Sequence, residues 1–227
     1  MSDRDFPSLD VFARELADAE RAASAGEDAA GETVTSRGAL VRRAALVGGA
    51  ALATGGLVTA LPKLASSAAS RSGDVRILNY VLRLEYLKAA FYTEAAERGG
   101  LSGELRQLAD VLARHERSHV AFLKRRLGSE AVDKRRFDFG DATRDPDRFA
   151  STARMLEETA VAAYIGQGAN LTRRQMVPFA QITSVEARHA AWIDDMLGRH
   201  PAPLAADRAK SPAQVVAAIE KTGFEKG

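Results

Sequence analysis

Four long stretches of this chain repeat apolar residues at the spacing of one helix face. The first stripe carries Leu78, Leu82, Ala89, Tyr92 and Ala96, and the second Leu105, Leu108, Leu112, Phe122 and Leu123. The third reads Phe149, Ala153, Ala160 and Tyr164, and the fourth Phe179, Ile182, Ile193 and Met196. Recurrence at three- and four-residue intervals marks amphipathic α-helices. Local signals set their limits. The first helix is predicted from Asp74, as N-cap, to Arg98 before Gly99-Gly100, and the second from Ser102 to Leu127 before Gly128. Asp145-Pro146 opens the third, which runs to Gly166. The fourth spans Thr172 to Leu197, with Pro178 either kinking it or marking its true start. Ser211-Pro212 to Thr222 reads as a short capped helix packed outside.

The connections carry the topology. Short links join helices one to two and three to four, so each pair is an antiparallel hairpin. Between them lies an aperiodic stretch from Gly128 to Asp145. About 18 extended residues cover nearly 60 Å, whereas a helix of about 26 residues is about 39 Å long. The chain can therefore return along the whole bundle between helices two and three. This gives an all-α four-helix bundle with one long crossover rather than a plain up-down-up-down arrangement.

A length of 227 residues with 46% hydrophobic content supports one packed domain plus additional segments. Ala, Leu, Arg and Glu dominate, which favours helices over strands. The net charge is only +2, and the basic residues are spread over helix faces, so no nucleic-acid partner is expected. The absence of Cys excludes disulfides, thiolate metal sites, a lipoprotein anchor and covalent haem attachment.

The N-terminal part has a different character. Residues 1–36 hold nine acidic and three basic side chains and one amphipathic stretch at Leu9, Phe12 and Leu16, and read as a mobile acidic arm. Residues 37–70 follow with Arg42-Arg43, the uncharged run 44–61, Pro62 and small residues at 65–69. That order is an export signal, and the arginine pair resembles the twin-arginine route. It predicts an exported, cell-envelope, periplasmic or extracellular protein. The alternative is an uncleaved membrane anchor through residues 44–61, since 18 helical residues span about 27 Å. The domain division is then 1–36 arm, 37–70 signal or anchor, 71–200 bundle, and 201–227 tail with a short helix.

Every one of the four stripes is interrupted by a carboxylate. Glu85, Glu116, Glu157 and Glu186 each fall inside an apolar stripe, and His119 and His189 follow Glu116 and Glu186 by three residues. The pattern is a repeat. Glu116-Arg117-Ser118-His119 returns seventy residues later as Glu186-Ala187-Arg188-His189, and Glu85 and Glu157 are each followed by a Tyr seven residues on, Tyr92 and Tyr164. A buried carboxylate must be protonated, paired or metal-bound, and four converging would also repel one another. Two divalent cations would cancel four carboxylates and leave two neutral imidazoles, which fits a dinuclear site with oxygen and nitrogen ligands. Glu158 is a possible substitute for Glu157, but the repeat favours Glu157. Tyr92 and Tyr164 read as core aromatics rather than redox participants, and His200 as exposed. The alternative H-E-x-x-H zinc-protease motif at His115-Glu116-Arg117-Ser118-His119 leaves the second repeat unexplained, because Val185 stands where His115 would recur. His115 is then a core residue or a neighbour of the ligands.

On these residues, positions 74–198 resemble the ferritin-like superfamily, especially exported bacterial ferritin-like domain proteins related to desiccation-related proteins. The resemblance lies in Leu-Glu-Tyr-Leu with Phe91-Tyr92, Glu-x-x-His-Val-Ala-Phe-Leu, Leu-Glu-Glu-Thr-Ala-Val-Ala-Ala-Tyr and Val-Glu-Ala-Arg-His-Ala-Ala-Trp. It implies two Fe, alternatively two Mn, with Glu116 and Glu186 bridging as the catalytic carboxylates, His119 and His189 binding one metal each, and Glu85 and Glu157 as terminal ligands. It further implies reaction with O₂ or peroxide of the ferroxidase, catalase or peroxidase type, or else a non-catalytic iron-sequestering or stress-protective role, and a homodimer.

Overall fold

The computed structural model describes residues 10, 11, 13–18, 21 and 69–226. The molecule is built on α1 (Arg71–Glu97), α2 (Gly103–Leu127), α3 (Pro146–Gly168), α4 (Arg173–Met196) and α5 (Pro212–Glu220). Two short strands, β1 (Arg136–Phe137) and β2 (Glu225–Lys226), pair antiparallel. Residues 69–226 and the described residues up to position 17 belong to one compact unit. The twin-arginine pair and the apolar run at 44–61 fall outside the described residues. Among the described residues no helix is long and apolar enough to cross a membrane.

Side chains cap the starts of α1, α3 and α5, whereas Ser102 and Thr172 stand at the N-cap positions of α2 and α4 without a side-chain capping bond, and one start differs from the sequence reading. Asp145 accepts from Arg148 N ahead of Pro146, and Ser211 forms a capping box with Gln214. α1 starts earlier than Asp74, because Ser70 is its N-cap and accepts from Gly73 N. Asp74 turns to the far hairpin instead, accepting from Thr172 N at 2.8 Å and Thr172 Oγ1 at 2.6 Å. Its carboxylate thereby serves the start of α4. Pro178 lies inside α4. It has no N–H to offer the carbonyl of Arg174, and Arg126 from the end of α2 donates to that oxygen and to Gln175 Oε1.

Hydrogen bonds along α1 trace the path from α2 to α3. Asn79 bonds Glu130 O and Val132 N, Tyr86 donates to Val132 O, and Thr143 donates to Glu94. The connection therefore climbs α1 from its beginning to its end, and α3 starts beside the α1–α2 turn. Phe139 of this connection packs edge-on against Phe91 and Phe224, and Phe91 stacks on Phe149. With α2, α3 and the crossover around it, α1 is buried at every position from Ile77 to Ala89. This is why Asn79 and Arg83, off the apolar stripe, are buried too. Ala13 and Leu16, in the stretch expected to form a mobile arm, are buried in the same hydrophobic cluster as the bundle.

Gly100 marks the closest approach of the crossover. A Cβ there would lie 2.3 Å from the carbonyl oxygen of Arg144. Gly100→Ala is expected to cost about 1–3 kcal/mol. Thermal unfolding checks this, and an unchanged midpoint would show that the crossover is not held against the α1–α2 turn.

Candidate metal centre

Helical spacing brings the chemistry to one level of the bundle. α1 contributes Glu85, Lys88 and Tyr92 on one face at i, i+3 and i+7. α2 contributes Glu116 and His119, α3 Glu157 and Tyr164, and α4 Glu186 and His189. The four glutamates are wholly buried, His189 is 3% exposed and His119 9%. All six residues singled out in the sequence converge. Glu158 does not join them, pairing with Arg154 at the surface. His200 is exposed.

The cluster has a twofold character. His119 Nδ1 lies 2.8 Å from Glu186 Oε1, 3.3 Å from Glu116 Oε2 and 3.4 Å from Glu85 Oε2. His189 Nδ1 lies 3.1 Å from Glu116 Oε1, 3.4 Å from Glu157 Oε2 and 3.7 Å from Glu186 Oε2. Two groups of four candidate ligand atoms result, Glu85, Glu116, His119 and Glu186, and Glu116, Glu157, Glu186 and His189, each within 4.8 Å of one another. Glu116 and Glu186 belong to both.

The surrounding hydrogen bonds cross between the repeats. Tyr92 donates to Glu157 Oε1 at 2.7 Å, and Tyr164 donates to Glu85 Oε1 at 2.8 Å. The two core tyrosines thus also orient the outer carboxylates, and their crossed pairing requires α1 and α3 to run antiparallel. His115 is exposed, but its Nδ1 lies 2.9 Å from His189 Nε2. It is a neighbour of the cluster rather than a core residue.

The donor atoms fit a cation. Glu85 Oε2, Glu116 Oε1, Glu186 Oε1 and His189 Nδ1 are buried with no aligned hydrogen-bond partner, although nitrogen or oxygen of the cluster stands close to each. Their residues belong to the two groups, in each of which the candidate ligand atoms all lie within 4.8 Å of one another, close enough to share a cation. Carboxylate oxygen with imidazole nitrogen suits first-row divalent metals.

Family comparison agrees with this geometry. A model of the ferritin-like domain matches residues 73–199. The chain belongs to the ferritin-like family. No curated protein matches it significantly. The buried Glu and His cluster of this ferritin-like domain is compatible with a metal site.

One member of the cluster escaped the sequence reading. Lys88, 1% exposed, bonds Glu186 and approaches Glu116 at 3.1 Å and both Glu85 and Glu157 at 3.4 Å. Its signal was present as Glu85-x-x-Lys88, the same three-residue spacing as each Glu-x-x-His, at a position where the repeat has Ala160.

Charge in the metal-free cluster is shared accordingly. Burial and the charge of Glu186 push Glu85 well above the usual carboxylate range. Burial raises Glu157 to about 7 even against the pull of Lys88. Burial would raise Glu116 and Glu186 as well, but Lys88 and the imidazoles beside them outweigh it and hold both low. Burial disfavours the imidazolium forms, yet the surrounding carboxylates push His119 up to about 12 and His189 up to about 11. Burial, then His189, lowers His115.

Two raised histidines fix the sign of a pH effect. Their contribution to metal-free stability is complete below about pH 6.5, where the unfolded chain also holds these protons, and is lost as pH rises through 11 to 12. In chelator-treated protein, nitrogen NMR should find His119 and His189 protonated throughout about pH 5 to 9, while His115 loses its proton below its ordinary value of about 6.5. A midpoint near neutrality for His119 or His189 would contradict this charge assignment.

Proposed function

We propose that the cluster is a dinuclear iron centre, with manganese as the alternative metal, in a protein that reacts with O₂ or peroxide. The observation that carries this reading is the sharing of Glu116 and Glu186 between two complete four-ligand groups. Glu116 and Glu186 would bridge, His119 and His189 would bind one ion each through Nδ1, and Glu85 and Glu157 would be terminal ligands. Two such ions, when bound, supply electrons and Lewis acidity to an oxygen substrate.

The chain's own groups do the rest. Tyr164 and Tyr92 hold the outer carboxylates in place through their hydroxyl protons. The apolar stripes keep bulk water from the centre. His115 holds His189 by its far nitrogen and connects it to the surface. The basic and apolar segment at 37–70 supports export, or anchoring through 44–61, and dimerisation of the bundle remains part of the proposal.

A second reading, a protective or sequestering protein without turnover, is favoured by one observation: Lys88 already supplies positive charge to all four carboxylates. Metal content and turnover separate the two. At saturating Fe(II) or Mn(II), elemental analysis of the full chain should give two ions, both lost in Glu116→Ala together with Fe(II) oxidation or peroxide breakdown. Tyr92→Phe should weaken metal affinity about 10- to 100-fold with the fold intact. Retention of both ions in Glu116→Ala would overturn the bridging assignment, and two bound ions without any turnover would leave the protective reading.

A further inference from the structure

Lys88 is the member of the cluster that breaks its twofold pattern. The repeat-related position holds Ala160, so a single ammonium serves a site otherwise built in pairs. Its Nζ faces Oε2 of Glu85, Glu116, Glu157 and Glu186 alike. Because Glu116 and Glu186 belong to both ligand groups, a cation touching them stands in the space common to the two. An ammonium and metal ions at such separations would repel one another in a medium that screens charge poorly. The same ammonium, together with the imidazoles of His119 and His189, places positive charge among the four enclosed carboxyl groups.

We propose that Lys88 sets the cation occupancy of the cage: beside the imidazoles of His119 and His189, its ammonium is the one countercharge common to all four carboxylates of the metal-free protein, and metal ions bind only as the side chain withdraws from them. The competition rests on the metal-centre reading, whereas the countercharge role rests on the position of Lys88 alone. Two consequences follow for the molecule. The bundle closes before metal arrives, and each metal ion binds against an internal competitor rather than into an open anionic hole.

Lys88→Met keeps an unbranched apolar stem and removes the charge. The full chain and this variant are compared in chelator and during Mn(II) titration, with unfolding temperature and bound manganese as readouts. In chelator the variant should unfold about 10 °C lower, because one partner of a buried ionic cluster has been removed. Its Mn(II) affinity should be at least about 10-fold tighter than that of the unaltered chain, with a larger rise in unfolding temperature on binding. Lys88→Met combined with Glu186→Gln removes one charge of each sign, and should recover at least about half of the loss in chelator, which a purely steric role of the lysine would not produce.

An unchanged unfolding temperature of Lys88→Met in chelator, or a double variant no more stable than the single one, overturns the countercharge role. Equal Mn(II) affinity with and without Lys88 overturns the competition. If neither protein binds Mn(II) or Fe(II), the metal-centre reading fails and the competition with it, while the chelator comparison still decides the countercharge. If Lys88→Met does not fold, the double variant is expected to, and its failure as well would overturn the proposal.

Discussion

Enclosing four carboxylates at the centre of an apolar helical bundle is the constraint on which the rest of this structure depends. Carboxylates removed from water must be neutralised, paired or protonated, and the chain uses all three means at once. Lys88 and the imidazoles of His119 and His189 supply positive charge, Glu85 is biased toward keeping its proton, and the tyrosine hydroxyls bond the outer oxygens. Three carboxylate oxygens and one imidazole nitrogen of the cage are held by charge at short range without an aligned hydrogen bond. That set of atoms is the chemical opening a cation can use.

Precision at the centre depends on how α1 is held. This helix carries Glu85, Lys88 and Tyr92, and it is enclosed by two helices and the connection that climbs its length. Asp74 fixes its beginning to the start of α4, and Thr143 meets Glu94 near its end. Arg126 ties α2 to the proline-interrupted carbonyl of α4. The ends of the bundle are thus linked by polar contacts, and Phe91, Phe149, Leu108 and Leu112 belong to the apolar core between the helices. Such ends limit relative sliding of helices, which would displace the ligand atoms of one helix against those of another.

The helices and the six convergent residues were legible because both obey a period. Glu85, Glu116, Glu157 and Glu186 declared themselves by interrupting apolar stripes, and the repeat distinguished Glu157 from the outward-facing Glu158. Residues that act through a partner far along the chain were harder to read. Asp74 has the composition of an N-cap and serves a helix that begins almost a hundred positions later. Lys88 was hidden for a related reason: a lysine on a helix ordinarily faces water, and this one lies on the inward face with Glu85 and Tyr92, where carboxylates from the other three helices meet it. The short strand pair at Arg136–Phe137 and Glu225–Lys226 has no periodic signature, since two residues are too few to carry one.

The crossed tyrosine bonds bear on how such a chain could have arisen. Tyr92 of one hairpin completes the carboxylate of the other, and Tyr164 returns the service, so neither hairpin contains a finished half-site. A lone ancestral hairpin would have had to associate with an identical copy to complete the same set of bonds. Joining two copies in one polypeptide removes the demand that the halves remain identical. Lys88 opposite Ala160 is a difference that only a fused pair could hold, because two identical hairpins would bring two ammonium groups to a centre where one already meets every carboxylate.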